Sequence, residues 1–98
     1  MTESDFQQHL IRKLKILFPG CYVFKNDAGY MEGVPDLILL FEDRWAMLEV
    51  KASAKSRRSK AQEYYVERLD RMSFAAFIYP ENEERILNEI QYSFQSHR

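Results

Sequence analysis

The chain has 98 residues, 46% of them hydrophobic and 14% aromatic, which predicts one small domain (residues 1–98) and excludes a disordered protein. Its formal net charge of −1 excludes a protein that coats nucleic acid without selectivity, so any DNA contact must come from a local basic patch. Cys21 is a lone cysteine and no apolar run approaches the roughly 20 residues of a membrane span, so we expect a cytoplasmic or otherwise intracellular protein with no membrane partner.

The first predicted element is a helix that begins at Thr2 or Ser4, both good N-cap residues, and ends at the Pro-Gly pair of residues 19–20. Apolar residues repeat along it at helical spacing: Phe6, Leu10, Ile11, Leu14, Leu17 and Phe18. Residues 21–25 form a short β-prone run. Residues 26–33 contain two glycines, an Asn and an Asp, which predicts a loop.

Next comes a predicted β-hairpin. Residues 37–41 are an uninterrupted apolar run, which predicts a strand buried on both faces. Glu42 and Asp43 are predicted to make the turn, and residues 44–51 the return strand. The small, polar and basic residues 52–60 then predict a loop.

A second helix is predicted to begin at Ser59, and its apolar stripe contains Ala61, Tyr65, Leu69 and Met72. Residues 74–79 predict a further strand, which Pro80 closes, and Asn82 is expected to cap a final helix. That helix carries the apolar residues Ile86, Leu87, Ile90 and Phe94. The resulting order, αβββαβα, predicts an α/β fold in which one mixed sheet is flanked by helices.

The pattern that carries chemistry is the segment 33–36, Gly-Val-Pro-Asp, followed after twelve residues by Glu-Val-Lys. Side chains alternate along a strand, so Glu49 and Lys51 share one face while Val50 points into the core. Asp36 lies almost opposite Glu49, because each is about six residues from the turn of the hairpin. Two carboxylates beside a lysine can hold a hard cation such as Mg²⁺ and hydrolyse a phosphodiester bond.

Each part of this pattern also has an ordinary structural interpretation. A Pro-Asp pair at the start of a strand is common turn chemistry, and alternating Glu and Lys at a strand end can be a solvated edge. Their occurrence together, at this spacing and on these elements, favours the catalytic interpretation.

The sequence also resembles the VRR-NUC family, the virus-type replication-repair nuclease module of the PD-(D/E)XK superfamily, from Glu3 to about Tyr79. The family motifs are Glu and Gln four residues apart in the first helix, a glycine-bearing loop into Gly-x-Pro-Asp, Glu-Val-Lys, and a helix that starts Ser-x-x-Gln. Here they are Glu3 with Gln7, Gly29 with residues 33–36, residues 49–51, and residues 59–62. One departure is Met72-Ser73, where the family often has glycine, and it concerns a helix C-cap more than chemistry.

This resemblance implies a PD-(D/E)XK nuclease core, similar to that of restriction endonucleases, and a Mg²⁺ site in which Mn²⁺ can substitute. Asp36, Glu49 and the backbone carbonyl of Val50 are the implied ligands, and Glu3 is implied to reach the metal through water. An acid at Glu3 is equally favoured by the positive end of the helix dipole, so a structural role stays open for it.

The resemblance further implies that Lys51 positions the attacking water and that Gln62 orients water or phosphate. Gln62 also stands three residues after Ser59, which makes a capping box. A structural role, a site role and both together therefore stay open for Gln62.

Residues 51–60 contain five positive charges and no acid. Lys55, Arg57, Arg58 and Lys60 lead into a helix N-terminus, which is itself an anion-binding feature, so we predict that they contact DNA phosphates. Considered alone, such a run is more often a solvated loop. Further candidate contacts are Lys25, Tyr30 and Met31.

Together these features predict a metal-dependent, structure-selective DNA endonuclease. A homodimer similar to Holliday-junction resolvases is expected, because two matched cuts in branched DNA suit two sites related by two-fold symmetry. The dimer surface is expected on the exposed side of the first or the last helix. Alternatives are a flap or nicking nuclease and a non-catalytic DNA-binding module with the nuclease fold.

A further alternative is an interaction protein that binds through the acids of the last helical region, Glu81, Glu83, Glu84 and Glu89. No Gly-rich phosphate loop is present, so no nucleotide cofactor is expected. His9 is expected to face solvent and His97 to lie in the tail, and neither forms a metal pattern with Cys21.

Overall fold

A computed structural model describes residues 1–27 and 29–96, with the side chain of residue 96 outside the description. The described elements follow the predicted order, αβββαβα, with one added 3₁₀ turn. In chain order they are α1 (Glu3–Leu17), β1 (Tyr22–Lys25), β2 (Leu37–Phe41), β3 (Arg44–Val50), α2 (Lys60–Met72), β4 (Ala75–Ile78), the 3₁₀ turn (Pro80–Asn82) and α3 (Glu83–Ser96). The predicted tail residue His97 lies outside the described residues.

The N-cap of helix α1 is Thr2 rather than Ser4. The Thr2 hydroxyl accepts a hydrogen bond from the backbone N–H of Asp5, and the Asp5 carboxylate accepts one from the N–H of Thr2. This capping box satisfies two backbone donors that a helix otherwise leaves unpaired. At the other end the N–H of Phe18 donates to the carbonyl of Leu14, and the chain then turns through Gly20, whose φ is +88°.

The four described strands form one mixed sheet in the order β1-β2-β3-β4. The first three are antiparallel, whereas β4 runs parallel to β3 after the α2 crossover. The β2–β3 hairpin pairs Leu37 with Leu48 and Phe41 with Arg44, so its turn contains only Glu42 and Asp43, as predicted. Continuing this register by one position brings residue 36 opposite residue 49.

One face of the sheet carries the core. Residues from β2 and β3 pack there against α1 and α3, and the central members are Leu37, Leu39, Ala46, Leu48, Val50, Phe6, Leu10, Leu14, Ile86 and Ile90. Helix α2 packs against β3 and β4, and its residue Gln62 contacts Glu49, which projects from the opposite face. The molecule therefore has helices on both faces of the sheet, as expected for an α/β fold.

The prediction that β2 is buried on both faces is wrong. Leu37 and Leu39 are buried against the core, but Ile38 is only half-buried and Leu40 is 37% exposed. The reason is that α2 packs on β3 and β4, so the second face of β2 has no helix over it in the described part of the chain.

Two predictions about the helices are also wrong. Met72 does not join the apolar stripe of α2, because it ends the helix with 69% of its surface exposed. Asn82 does not cap α3: its Oδ1 accepts a hydrogen bond from the N–H of Tyr79, and its Nδ2 donates to the carbonyl of Phe77. Asn82, the last residue of the 3₁₀ turn, thus ties this turn to the end of β4.

His9 faces solvent only in part: its side chain is 37% exposed and has partners in the fold. Its ring lies against Phe6, and Nε2 is 2.8 Å from a carboxylate oxygen of Glu83, which also accepts a hydrogen bond from Lys13. These contacts join α1 to the start of α3. No helix in the described residues is long and apolar enough to cross a membrane.

Candidate active site

The two predicted carboxylates meet at one end of the sheet. Asp36 immediately precedes β2 and Glu49 lies near the end of β3, opposite it in the hairpin register. The backbone N–H of Val50 donates to Oδ2 of Asp36 at 2.9 Å, and the carboxyl groups of Asp36 and Glu49 hydrogen-bond to each other. The hairpin turn, set about six residues away, therefore determines that these two acids converge.

This arrangement is electrostatically unfavourable for Glu49, which is only 4% exposed. Burial, followed by the charge and hydrogen bond of Asp36, raises the pKa of Glu49 to about 8, and Lys51 partly opposes this rise. Glu3, the first residue of α1, adds a smaller repulsion, so the start of α1 lies close to the site. Glu49 consequently keeps its proton at neutral pH when no cation is bound.

Lys51 lies beside this pair and is 8% exposed. Its backbone N–H donates to the carbonyl of Ile78, which continues the pairing of β3 with β4. Its Nζ donates to the carbonyl of Arg57 at 2.8 Å and to Oε1 of Gln62 at 2.9 Å. Two neutral oxygens thus hold the ammonium in place. Neither of them carries a negative charge that would neutralise it.

Gln62 links the α2 N-terminus to the site. Its Oε1 accepts hydrogen bonds from the N–H of Ser59 and from Lys51, and its own N–H donates to the Ser59 hydroxyl. Its Nε2 donates to Oε2 of Glu49 at 3.3 Å. The capping box and the contact with the site therefore coexist in one side chain.

Asp36 is positioned by Asn26, which was predicted only as part of a loop, and by Gly33, the first residue of the Gly-x-Pro-Asp motif. The side chain of Asn26 donates to the carbonyl of Pro35, and its backbone N–H donates to the carbonyl of Asp36 at 2.8 Å. Gly33 has a φ of +90°, and a Cβ there would lie 2.6 Å from the backbone of Ala61 in α2. Only glycine fits this close approach, which lets the loop pass α2 and deliver Asp36 to the site.

The basic loop adjoins the catalytic candidates through Arg57, whose carbonyl binds Lys51. The guanidinium of Arg58 lies 4.0 Å from the centroid of the Phe77 ring, which fixes its position by a cation–π contact. Lys55 and Lys60 are exposed on either side of this pair. The contact between Arg58 and Phe77 could not be predicted from the sequence, because the two residues are far apart along the chain and only the folded structure brings β4 beside the loop.

The remaining predicted DNA contacts lie elsewhere. Lys25 ends the edge strand β1 and pairs with Leu37, so it lies on the far side of Asp36 from the basic loop. Tyr30 and Met31 are exposed in the loop between β1 and β2. The structure therefore brings Arg57 and Arg58 to the site but leaves Lys25 separate from them.

The acids near α3 have partners inside the chain. Glu83 binds His9 and Lys13, Glu89 binds Arg85, and Glu81 accepts hydrogen bonds from the N–H of Ala54. These contacts account for three of the four acids without an external partner, which weakens the interpretation of this region as a recruitment surface.

Within residues 1–27 and 29–96, no group of three His, Cys, Asp or Glu side chains is arranged to hold a metal ion. Two carboxylates at the site must therefore be completed by backbone oxygen or water if a metal binds. Comparisons of the chain with protein-family models, with curated proteins and with solved structures found no match.

Proposed function

We propose that the chain is a metal-dependent, structure-selective DNA endonuclease of the VRR-NUC type with a PD-(D/E)XK core. The observation that carries this proposal is the cluster of the half-buried Asp36 with the buried Glu49 and Lys51, in which two facing carboxyl groups lie beside an ammonium. If the cluster had only a structural role, replacing the two acids by neutral side chains of the same shape would make the protein more stable. A site that binds a cation, in contrast, requires both acids.

The chemistry of the donor set fits Mg²⁺. This cation takes one or two carboxylates, keeps several waters and accepts phosphate oxygens, so it does not need a third acidic side chain. We propose that Asp36, Glu49 and the carbonyl oxygen of Val50 hold it, with Glu3 reaching it through water, and that Mn²⁺ substitutes. When bound, the ion lowers the pKa of a water and neutralises charge on the phosphate.

The residues around the ion supply orientation. Lys51 is held by the Arg57 carbonyl and by Gln62, so its ammonium is positioned before substrate arrives. We propose that it positions the attacking water and donates to a phosphate oxygen as charge develops there. Gln62 contacts both Lys51 and Glu49 and so fixes the positions of these two side chains relative to each other.

The proposed substrate is branched DNA, with Lys55, Arg57, Arg58 and Lys60 as the contacts to its phosphates. A homodimer with two symmetric sites would make the paired cuts that a four-way junction requires. Flap cutting and nicking use the same site, so only the substrate distinguishes them. A non-catalytic DNA-binding module is the second candidate, because binding through the basic loop would not require the two carboxylates.

Cleavage of labelled four-way junction, flap and linear duplex DNA in Mg²⁺ tests the proposal, with Lys51→Ala compared with the wild type. The matched control is Lys15→Ala, which removes an exposed lysine of α1. We expect paired symmetric cuts in the junction, slowed at least ~100-fold by Lys51→Ala and unchanged in the control.

Each other outcome has a distinct meaning. Cutting of flap or duplex DNA with the same sensitivity to Lys51→Ala would keep the site and reject the resolvase. If no DNA is cut with Mg²⁺ or Mn²⁺, the catalytic proposal fails and the DNA-binding module is the better account.

A further inference from the structure

The second face of the sheet is apolar over β1 and β2, where no helix of the described residues covers it, and α2 covers the adjoining part of β3 only partly. Six residues form two cross-strand rows there, which we call the open face: Tyr22–Leu40–Trp45 and Phe24–Ile38–Met47. The rings of Tyr22 and Phe24 lie nearly parallel, with centroids 6.2 Å apart. The next row along the same strands contains Asp36 and Glu49, so the open face borders the candidate active site.

The exposed apolar area of the open face is similar to the apolar area that one partner contributes to a standard protein–protein interface. Tyr22, Phe24 and Leu40 leave 65%, 52% and 37% of their surface exposed. At about 200 Å² for a large side chain, these residues and the half-buried ones beside them expose about 450 Å² of apolar surface. A standard interface covers about 800 Å² on each partner, of which about 57% is non-polar, so the open face supplies the required apolar part.

The electrostatics of the open face disfavour nucleic acid as its occupant. None of its six residues is charged, and acids stand at both ends, with Asp36 and Glu49 beyond one row and the Glu42-Asp43 turn beyond the other. DNA phosphates would be repelled there, and no cation of the face would attract them. The occupant is therefore expected to be an apolar protein surface.

Helix α2 is the element of the chain that such a surface would use. None of residues 60–72, all of which the structure describes, is fully buried, although α1 and α3 each bury several residues. Tyr64 and Met72 of α2 leave 53% and 69% of their surface exposed. The helix of a second copy would thus gain the burial that α2 lacks in a single chain.

We infer that the open face is the contact surface between two copies of this chain. Because α2 stands about 10 Å above the other half of the same face, two sheets cannot lie directly on each other. The two-fold arrangement that fits places α2 of each copy over the open face of its partner, so that the two helices form one layer between two sheets. The expected surface is thus a sheet face, not the outer side of α1 or α3.

This inference rests on the homodimer of the proposed function and gives it a geometry. Both pairs of carboxylates would border one interface, which relates the two candidate sites by a fixed two-fold axis. The two sites would then be able to act on two strands of one branched DNA without a linker between them.

The test is the molar mass of the full chain in solution, measured by light scattering without DNA or metal. Phe24→Lys places a charge in the open face, whereas Tyr92→Lys makes the same change at an aromatic residue of α3 that is 73% exposed. We expect the wild type and Tyr92→Lys at twice the chain mass of 11.7 kDa and Phe24→Lys at the single mass. An unpaired buried charge should raise the dimer dissociation constant at least ~100-fold.

Circular dichroism checks that Phe24→Lys is folded, and Tyr22→Lys, at a more exposed residue, takes its place if it is not. Dimerisation is expected to persist or strengthen as salt rises, because the contact is apolar and its ends are acidic. A wild type that stays monomeric at its highest soluble concentration would overturn the inference. A dimer that survives both lysine variants, or one that only Tyr92→Lys dissociates, would overturn it too.

A monomer whose binding to single-stranded DNA is lost in Phe24→Lys would also overturn the inference and make the open face a stacking surface for bases. The mass measurement is independent of cleavage. A monomer that cuts DNA would overturn the proposed interface and support the nuclease. A dimer that depends on the open face but cuts no DNA would support the interface and overturn the nuclease.

Discussion

Replacing Glu49 by glutamine is expected to stabilise the protein in metal-free buffer. The folded chain holds this carboxyl 4% exposed and against Asp36, which raises its pKa from 4.5 to about 8. Glutamine cannot ionise, yet it keeps an oxygen for the hydrogen bond from Gln62 and offers an amide N–H to Asp36. The variant therefore removes the unfavourable term and retains the contacts.

The magnitude follows from the pKa. A carboxyl whose pKa is raised by folding lowers stability, and this effect is absent below its ordinary pKa of 4.5 and grows as pH rises toward 8. At pH 7 the unfolded chain has released the proton that the folded chain keeps, a difference of about 3 kcal/mol. For a domain of this size, such a gain corresponds to a rise in melting temperature on the order of 10 °C.

Thermal and urea unfolding of wild type and Glu49→Gln from pH 4 to pH 8, in the presence of a chelator, measures this difference. We expect the two free energies of unfolding to coincide near pH 4 and to diverge as pH rises. Added Mg²⁺ should narrow the gap, because it stabilises only the wild type. A variant that is less stable than the wild type at pH 7, or a difference in stability that does not depend on pH, would show that the Glu49 carboxyl does not destabilise the folded chain.

Three other changes probe the loop, the contact between α1 and α3, and the turn before Asp36. Arg57→Ala combined with Arg58→Ala should weaken DNA binding and reduce its salt slope by about 2 in fluorescence anisotropy; an unchanged slope would exclude this loop as the contact. Burial raises the pKa of Glu83, but hydrogen bonds from two basic side chains of α1 outweigh burial and leave the pKa below 4.5. Glu83→Gln should therefore lose about 1 kcal/mol at pH 7, and the loss should shrink as pH falls through that lowered pKa; a loss that is constant with pH would contradict this. In urea unfolding, Gly33→Ala should lose more than ~2 kcal/mol and Gly20→Ala about 1 kcal/mol, because both have positive φ but only Gly33 approaches a backbone within 3 Å; equal losses would argue against the close contact.

Local patterns in the sequence were sufficient for the order of elements and for part of the candidate site. The two-residue turn at Glu42 and Asp43 sets the hairpin register, and the alternation of side chains then puts Glu49 and Lys51 on one face. The Ser59–Gln62 capping box is likewise a short-range pattern, and it is confirmed. These features depend on residues that are close along the chain or directly paired.

The errors arose where a distant element decides the environment. The apolar run at residues 37–41 does not reveal whether helices cover one face of the strand or both. In the fold, α2 covers only β3 and β4, so the second face of β2 stays open. His9 faces solvent on a lone helix, but α3 brings Glu83 to it. In the same way, the contact of Arg58 with Phe77 has no short-range signature.

The proposed endonuclease activity is tested most directly by the rate at which wild type and Glu49→Gln cut a labelled four-way junction in Mg²⁺. We expect paired symmetric cuts by the wild type and at least ~100-fold slower cutting by the variant, even though the variant is expected to be the more stable protein. Equal rates would show that Glu49 has no part in the chemistry. A wild type that cuts no DNA with Mg²⁺ or Mn²⁺ would contradict the endonuclease itself.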